Sequence, residues 1–458
     1  MENTSAAAIE SLIQVHRDYF ATNETKDLNF RLNNLRKFKK GIQQYEQKIT
    51  DALWQDLHKS AEEAYLTEIS IVLQEINNHI KHLKHWAKTK KVATPLHLLP
   101  SSSKIIYEPL GVALIIAPWN YPFQLLMNSL VGAVSGGCCA VLKPSPYTPT
   151  VAAVMEEMIH ETFPIEYISV VQGGREVNSQ LLEQRFDVIF FTGSPDLGKT
   201  VMKAAAAYLT PVVLELGGKS PCIVDASANI DIAAKRIVWG KMINAGQTCI
   251  APDYLFVHES VKAELLTKIE QNITKWFGEN PQESAYFPRI VNLNAMKRLK
   301  KLLLHGDIVF GGKTDDTDRY FAPTIIDDVQ PDYPIMQEEI FGPILPVMTF
   351  KKIETVIDYI NKHEKPLAFY FFGKKSQSKT VFMETTSGGA CINDTLMHIT
   401  NHHLPFGGVG NSGIGNYHGR ESFMAFSNAR AVVTSPTWFD LPVKYVPFKF
   451  FKWVKKIL

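Results

Sequence analysis

Between Gly111 and Leu214 short apolar runs alternate with longer segments of helical spacing, and this alternation constrains the fold more than any other feature of the sequence. Gly111-Val112-Ala113-Leu114-Ile115-Ile116-Ala117 has no polar side chain at all, and Cys139-Ala140-Val141-Leu142-Lys143 has one only at its last position. A strand wetted on one face would alternate apolar with polar residues. A strand that is apolar throughout is buried on both faces, as in a parallel sheet covered by helices. Further strands are predicted at 168–171, 188–191 and 212–214, with helices at 123–136, 148–162, 176–184 and 196–208 between them. Repeated strand–helix units imply an α/β fold built on a doubly wound parallel sheet. Ligands bind such sheets beyond the carboxyl ends of the strands. Pro118-Trp119-Asn120, Lys143-Pro144-Ser145 and Thr192-Gly193-Ser194 each follow a strand, so they are expected to gather at one rim.

A chain of 458 residues is too long for one ordinary core. A second α/β half is expected from Glu215, with strands at 223–225, 254–257 and 345–347, and one more strand lies at 429–434. Residues 1–90 read as helices, on the spacing of Leu28, Leu32, Leu35 and Phe38 and of Ile69, Val72, Ile76, Ile80 and Leu83. Pro95, Pro100 and the serines at 101–103 break that pattern, and 103–108 is extended. The expected scheme has a dinucleotide-binding domain (1–85 and 108–214), a catalytic domain (215–412), oligomerisation segments (86–107 and 428–437) and a basic, aromatic tail (438–458).

Composition excludes several classes. Apolar residues make up 45% and charged residues 21%, as in soluble globular proteins, and a net charge of +2 carries no signal for nucleic acid. The start, Met-Glu-Asn-Thr-Ser, lacks the basic and apolar regions of a signal peptide, and no run of about 18 apolar residues is present. Five cysteines without a Cys-x-x-Cys pair suit a reducing compartment, and a cytoplasmic location is expected. His398, His402 and His403 cluster without completing a zinc ligand set; they read as a loop, with no metal expected.

The chemistry centres on Gly246-Gln247-Thr248-Cys249-Ile250-Ala251-Pro252. Ile232, Ala233, Arg236, Ile237, Trp239, Gly240 and Met242 predict a helix that stops near Asn244-Ala245-Gly246. A cysteine just beyond it can present its sulfur to a cleft, and a thiolate is a strong nucleophile. The competing reading is a buried structural thiol. Thr192-Gly193-Ser194-Pro195-Asp196-Leu197-Gly198-Lys199 follows a strand and opens a helix, which suits phosphate binding or is a plain strand–helix turn. Glu215-Leu216-Gly217-Gly218 also follows a strand; burial there would raise the pKa of Glu215 toward that of a useful base, whereas at the surface it is an ordinary carboxylate. Glu339-Ile340-Phe341-Gly342-Pro343 and the glycine-rich Pro405-Phe406-Gly407-Gly408-Val409-Gly410-Asn411-Ser412-Gly413 are either site loops or turns.

Taken in order, these five motifs resemble the aldehyde dehydrogenase superfamily over nearly the whole chain, and its class 3 branch in the string from Gly246 to Tyr254 and in the short N-terminal lead. The resemblance implies that Cys249 is the nucleophile, Glu215 the base that activates the deacylating water, and Asn120 a side-chain donor to the oxyanion. It implies that Lys143, Gly193, Ser194, Gly198, Glu339, Phe341 and Trp119 attend the cofactor, NAD or NADP. Tyr121 and Phe406 are then expected beside the substrate, an aromatic or medium-to-long-chain aliphatic aldehyde, with Tyr65 and Trp119 as further candidates for an apolar tunnel. Two alternatives stand beside this reading: a relative that passes the acyl group to coenzyme A, and a catalytically inactive structural member. One departure concerns cofactor choice. Many relatives carry Glu after the Lys-Pro-Ser motif, and here Pro146 stands there. A homodimer is expected. The tail from Lys444 to Leu458 interleaves lysines with aromatic and aliphatic residues, and predicts a helix after Pro447 with Phe450, Phe451, Val454, Ile457 and Leu458 on one side. Such a helix either docks on protein or rests weakly on anionic lipid.

Overall fold

In the computed structural model, which describes residues 3–448 and 450–457, the apolar runs do become the centre of a sheet. Strands Val112–Ile116 and Cys139–Lys143 are buried at every position. They lie in a six-stranded sheet with the order Gly413–Ile414, Val212–Leu216, Val188–Gly193, Val112–Ile116, Cys139–Lys143, Ile168–Val170. All neighbours are parallel except the short edge strand Gly413–Ile414, which pairs antiparallel with Leu214 and Glu215. Helix Pro122–Gly136 is buried at all its residues, as the apolar sequence from Phe123 requires. Glu215 lies inside its strand rather than just past it.

The second half is a seven-stranded sheet ordered Asp307–Phe310, Thr324–Asp327, Ile344–Phe350, Tyr254–His258, Pro221–Val224, Ala368–Phe372, Gly389–Ile392, parallel but for the first strand. Ala368–Phe372 reads Ala-Phe-Tyr-Phe-Phe and is wholly buried. A third, antiparallel sheet joins Lys90–Val92, Ser102–Pro109 and Ser427–Thr434, so the extended segment after the serines pairs with a strand more than 300 residues away. Its edge strand Ser427–Thr434 is mostly exposed. In the tail the helix runs Phe451–Ile457, beginning four residues after Pro447; Lys449 and Leu458 lie outside the described residues. Trp438, Val446, Phe448, Phe450 and Phe451 are exposed, so the tail does not pack on this chain at those positions.

Candidate active site

Helix Ile230–Met242 starts on Asn229, whose side chain accepts the Ile232 N–H. It ends in a tight turn, Ile243–Gly246, where Asn244, Ala245 and Gly246 all have positive φ (52°, 50° and 73°). Gly246 is required there for a second reason: a Cβ would run into the carbonyl oxygen of Gly342. The residues between this turn and Cys249 are tied down one by one. Gln247 donates to the Arg289 carbonyl at 3.0 Å, and its own amide oxygen accepts the Val291 N–H at 3.0 Å. Asn120 Nδ2 donates to the Gln247 carbonyl at 3.1 Å, and the Asn244 amide donates to the carbonyls of both Asn120 and Gln247. Tyr121 Oη and Thr248 Oγ1 are 2.7 Å apart. Cys249 follows this lattice and keeps part of its surface open to a cavity of about 450 Å³.

That cavity is almost entirely apolar. Leu66, Trp239, Met242, Trp276, Phe277 and Met397 line it, with Tyr121 and Phe406 as expected, whereas Tyr65 and Trp119 do not. Glu215 stands in its wall beside Cys249, 3% exposed, with neither carboxylate oxygen hydrogen-bonded. Burial therefore holds its carboxyl well above the usual range, which is the property a general base needs. Burial, with the charges of Glu339 and Glu215, pushes the Cys249 thiol up to about 12, so at rest the sulfur is protonated.

The remaining sequence candidates do not line that cavity. The Trp119 and Phe341 rings meet edge to face, 5.4 Å apart. A crevice of about 380 Å³ runs from Pro195 and Asp196, at the start of helix Pro195–Ala206, past Gly217 and Gly218 to Glu339. Ser194 caps that helix, and Gly198 lies against Leu216. Glu339 Oε1 is buried without a partner, and a side chain at Gly217 would collide with its carboxylate. Lys143 is buried at the end of its strand, donates only to the Pro144 carbonyl, and is pushed down to about 8 by burial. Pro146 is half-buried in the same turn. An unpaired buried carboxylate oxygen, a helix start and a buried ammonium at strand ends fit the hydroxyl and phosphate groups of a dinucleotide.

The histidine cluster separates in space. His398 Nδ1 is 3.3 Å from the Cys391 sulfur and its ring stacks on Phe406. His402 and His418 approach Glu75, with candidate ligand atoms within 4.8 Å of one another. Both Glu75 oxygens are already engaged, by His79 Nε2 at 3.1 Å and the Gly419 N–H at 2.6 Å on one and by His402 Nδ1 at 2.9 Å on the other. That network fastens helix Ser70–Trp86 to the 402–422 segment and is assigned no ion. Sequence reasoning missed Thr248, the Trp239 and Trp276 walls, the buried charges Lys59, Glu68 and Lys241, and the half-buried Glu63. Lys59, Glu63 and Glu68 sit in a helical, outwardly charged stretch where only an inward turn of the backbone, invisible to periodicity, distinguishes them.

A doubly wound sheet with a dinucleotide crevice on one side and a thiol facing an apolar cavity on the other defines a nicotinamide-dependent oxidoreductase. This chain belongs to the aldehyde dehydrogenase family, whose family model matches residues 1–432. It is 48% identical to the 4,4'-diaponeurosporen-aldehyde dehydrogenase of Staphylococcus aureus, over 98% of each chain. With the human aldehyde dehydrogenase family 3 member B1 it shares 46% identity over 91% of this chain and 89% of that one. The solved substrate-bound state of Staphylococcus aureus AldH superposes with a TM-score of 0.96, at 47% identity, covering 98% and 99% of the two chains.

Proposed function

We propose that this aldehyde dehydrogenase oxidises bulky apolar aldehydes, aromatic or medium-to-long-chain aliphatic, to carboxylic acids with NAD or NADP. The observation that carries the substrate class is the cavity of about 450 Å³ with Cys249 in its wall and a surface that is mostly apolar. Each buried methylene favours binding by about 0.8 kcal/mol in such a space.

Cys249 attacks the aldehyde carbon as its thiol proton leaves; Glu215, made basic by burial, is the acceptor in the same wall. The oxygen becomes an anion as the carbon becomes tetrahedral. Asn120 Nδ2 has a second N–H beyond the one given to Gln247, and with the Cys249 backbone N–H it serves as donor; one such donor is typically worth about 3 kcal/mol. Glu339 and Phe341 would hold the ribose and ring of a nicotinamide cofactor, and Lys143 with the 193–198 turn would hold its adenosine half; the chemistry that group would supply is acceptance of a hydride. Glu215 releases the thiol proton to solvent before deacylation; it then deprotonates the water that hydrolyses the thioester on Cys249 and passes that proton to the departing sulfur, returning the thiol. A base in this position supports hydrolysis over transfer to coenzyme A.

The Pro146 turn supports use of both cofactors. Five free cysteines suit the cytoplasm, and the exposed edge strand Ser427–Thr434 suits pairing with a second copy in a homodimer. A panel of aldehydes of increasing chain length, run with both cofactors, tests the substrate reading. It predicts that kcat/KM climbs with chain length; a preference for short, polar aldehydes would refute it.

A further inference from the structure

The segment from Leu57 to Ile71 carries none of the motifs, yet it reaches the reacting groups. Helix Leu28–Leu57 ends at His58 in the left-handed region (φ 56°), and Lys59 turns inward to complete burial. Ser60 then caps Ala61–Ala64, and the chain winds one π-helical turn, Tyr65–Ile69, before helix Ser70–Trp86. Such a turn takes in an extra residue and shifts the phase of the helix beyond it. Here Leu66, Thr67 and Ile71 line the apolar cavity while Glu68 is carried away from it and fully buried.

Lys59 Nζ donates to Glu68 Oε1 at 2.6 Å and to the carbonyl oxygen of Asn120 at 3.3 Å, and stands 4.3 Å from the centre of the Tyr121 ring. Glu68 Oε2 accepts the N–H groups of Phe123 at 2.9 Å and Gln124 at 3.1 Å, the first turn of helix Pro122–Gly136. One buried ion pair thus grips the backbone on both sides of Tyr121. A buried pair is no better for stability than apolar residues of its size, so stability alone does not account for it. What it touches does. The Asn120 side-chain oxygen has no partner, so the direction of its amide depends on one bond to Gln247 and on the backbone, which Lys59 and Glu68 hold together with the Asn244 amide.

We propose that Lys59 and Glu68 are positioning residues for aldehyde oxidation, fixing the 120–124 turn so that the free amide N–H of Asn120 stays aimed at the oxygen that becomes negative when Cys249 attacks. The proposal rests on the assignment of Asn120 as oxyanion donor. Its test is the pre-steady-state burst of reduced cofactor in Lys59→Met/Glu68→Gln, a neutral pair of similar shape, alone and combined with Asn120→Ala. The expected result is an unchanged Kd for cofactor, a burst slowed about tenfold or more, and no further slowing when the pair is replaced in the Asn120→Ala background. A folded double variant with a wild-type burst overturns the proposal, as does a loss that multiplies with that of Asn120→Ala. Should the double variant not fold, Glu68→Gln alone goes through the same cycle with the same criteria. Asn120→Ala by itself separates the two readings: a wild-type burst there removes the donor assignment and this proposal together, whereas a slowed burst beside an unaffected pair variant removes only the positioning role.

Discussion

Cys249 and Glu215 share one wall, and each is set by what it lacks. Neither Glu215 oxygen has a hydrogen-bond partner, and the Cys249 sulfur is held as a thiol by burial and by two nearby carboxylates. Cys249→Ala is expected to lower dehydrogenase turnover by at least about 10³-fold while cofactor binding, followed by fluorescence titration, is retained. On the proposed mechanism Glu215→Gln removes the base that activates the thioester water, so turnover measured as reduced cofactor should slow to a small fraction of wild type even where a first burst survives. The same substitution should change stability in a defined sense. The folded state holds the Glu215 proton more tightly than the unfolded chain does, because the folded pKa lies well above the ordinary 4.5. Below about pH 4 both states are protonated and nothing is lost. Above it the unfolded chain gives up its proton and the folded one is left with a costly choice, to stay protonated or to bury a charge. Glu215→Gln should therefore raise the Tm at about pH 7, and the gain should vanish near pH 4 in a thermal-unfolding series.

At the scale of the element, the proposed use of both cofactors rests on the turn after strand Cys139–Lys143. Pro146 offers no carboxylate to accept from ribose hydroxyls and no charge to oppose a 2′-phosphate. Measurable activity with NADP beside NAD is expected, and Pro146→Glu should shift the ratio of kcat/KM values toward NAD by about tenfold, an effect of about 1.4 kcal/mol. How much of this was legible beforehand depends on what each element advertises. Strands buried on both faces, such as Cys139–Lys143, match their predicted limits because a continuous apolar run has few other interpretations. The short strands Lys90–Val92, Thr324–Asp327 and Gly413–Ile414 carry no such pattern; pairing with distant partners, not local sequence, makes them strands. The motif loops pointed to Cys249, Glu215, Asn120 and Glu339 as candidates. The helical arm holding Asn120 stayed hidden, because a π turn changes which residues face inward and 3.6-residue spacing cannot register it.

For the whole molecule, the outer sheet and the tail are what remain open to other surfaces. Trp438 is 79% exposed, and Phe448, Phe450 and Phe451 are exposed as well. A second subunit or a lipid surface is the cover we propose for them. Deletion of 444–458 is expected either to weaken the proposed homodimer, seen by sedimentation, or to abolish co-sedimentation with anionic vesicles at low salt; a truncation that changes neither would leave the tail without a role. The cavity between the two sheets has one further consequence, for the direction of flow. On the proposed reaction it welcomes an uncharged aldehyde, but the acid formed inside it carries a negative charge into an apolar chamber. Desolvation disfavours that charge. The chamber therefore acts as a valve, retaining what has yet to react and ejecting what has, so weak product inhibition is built into its lining.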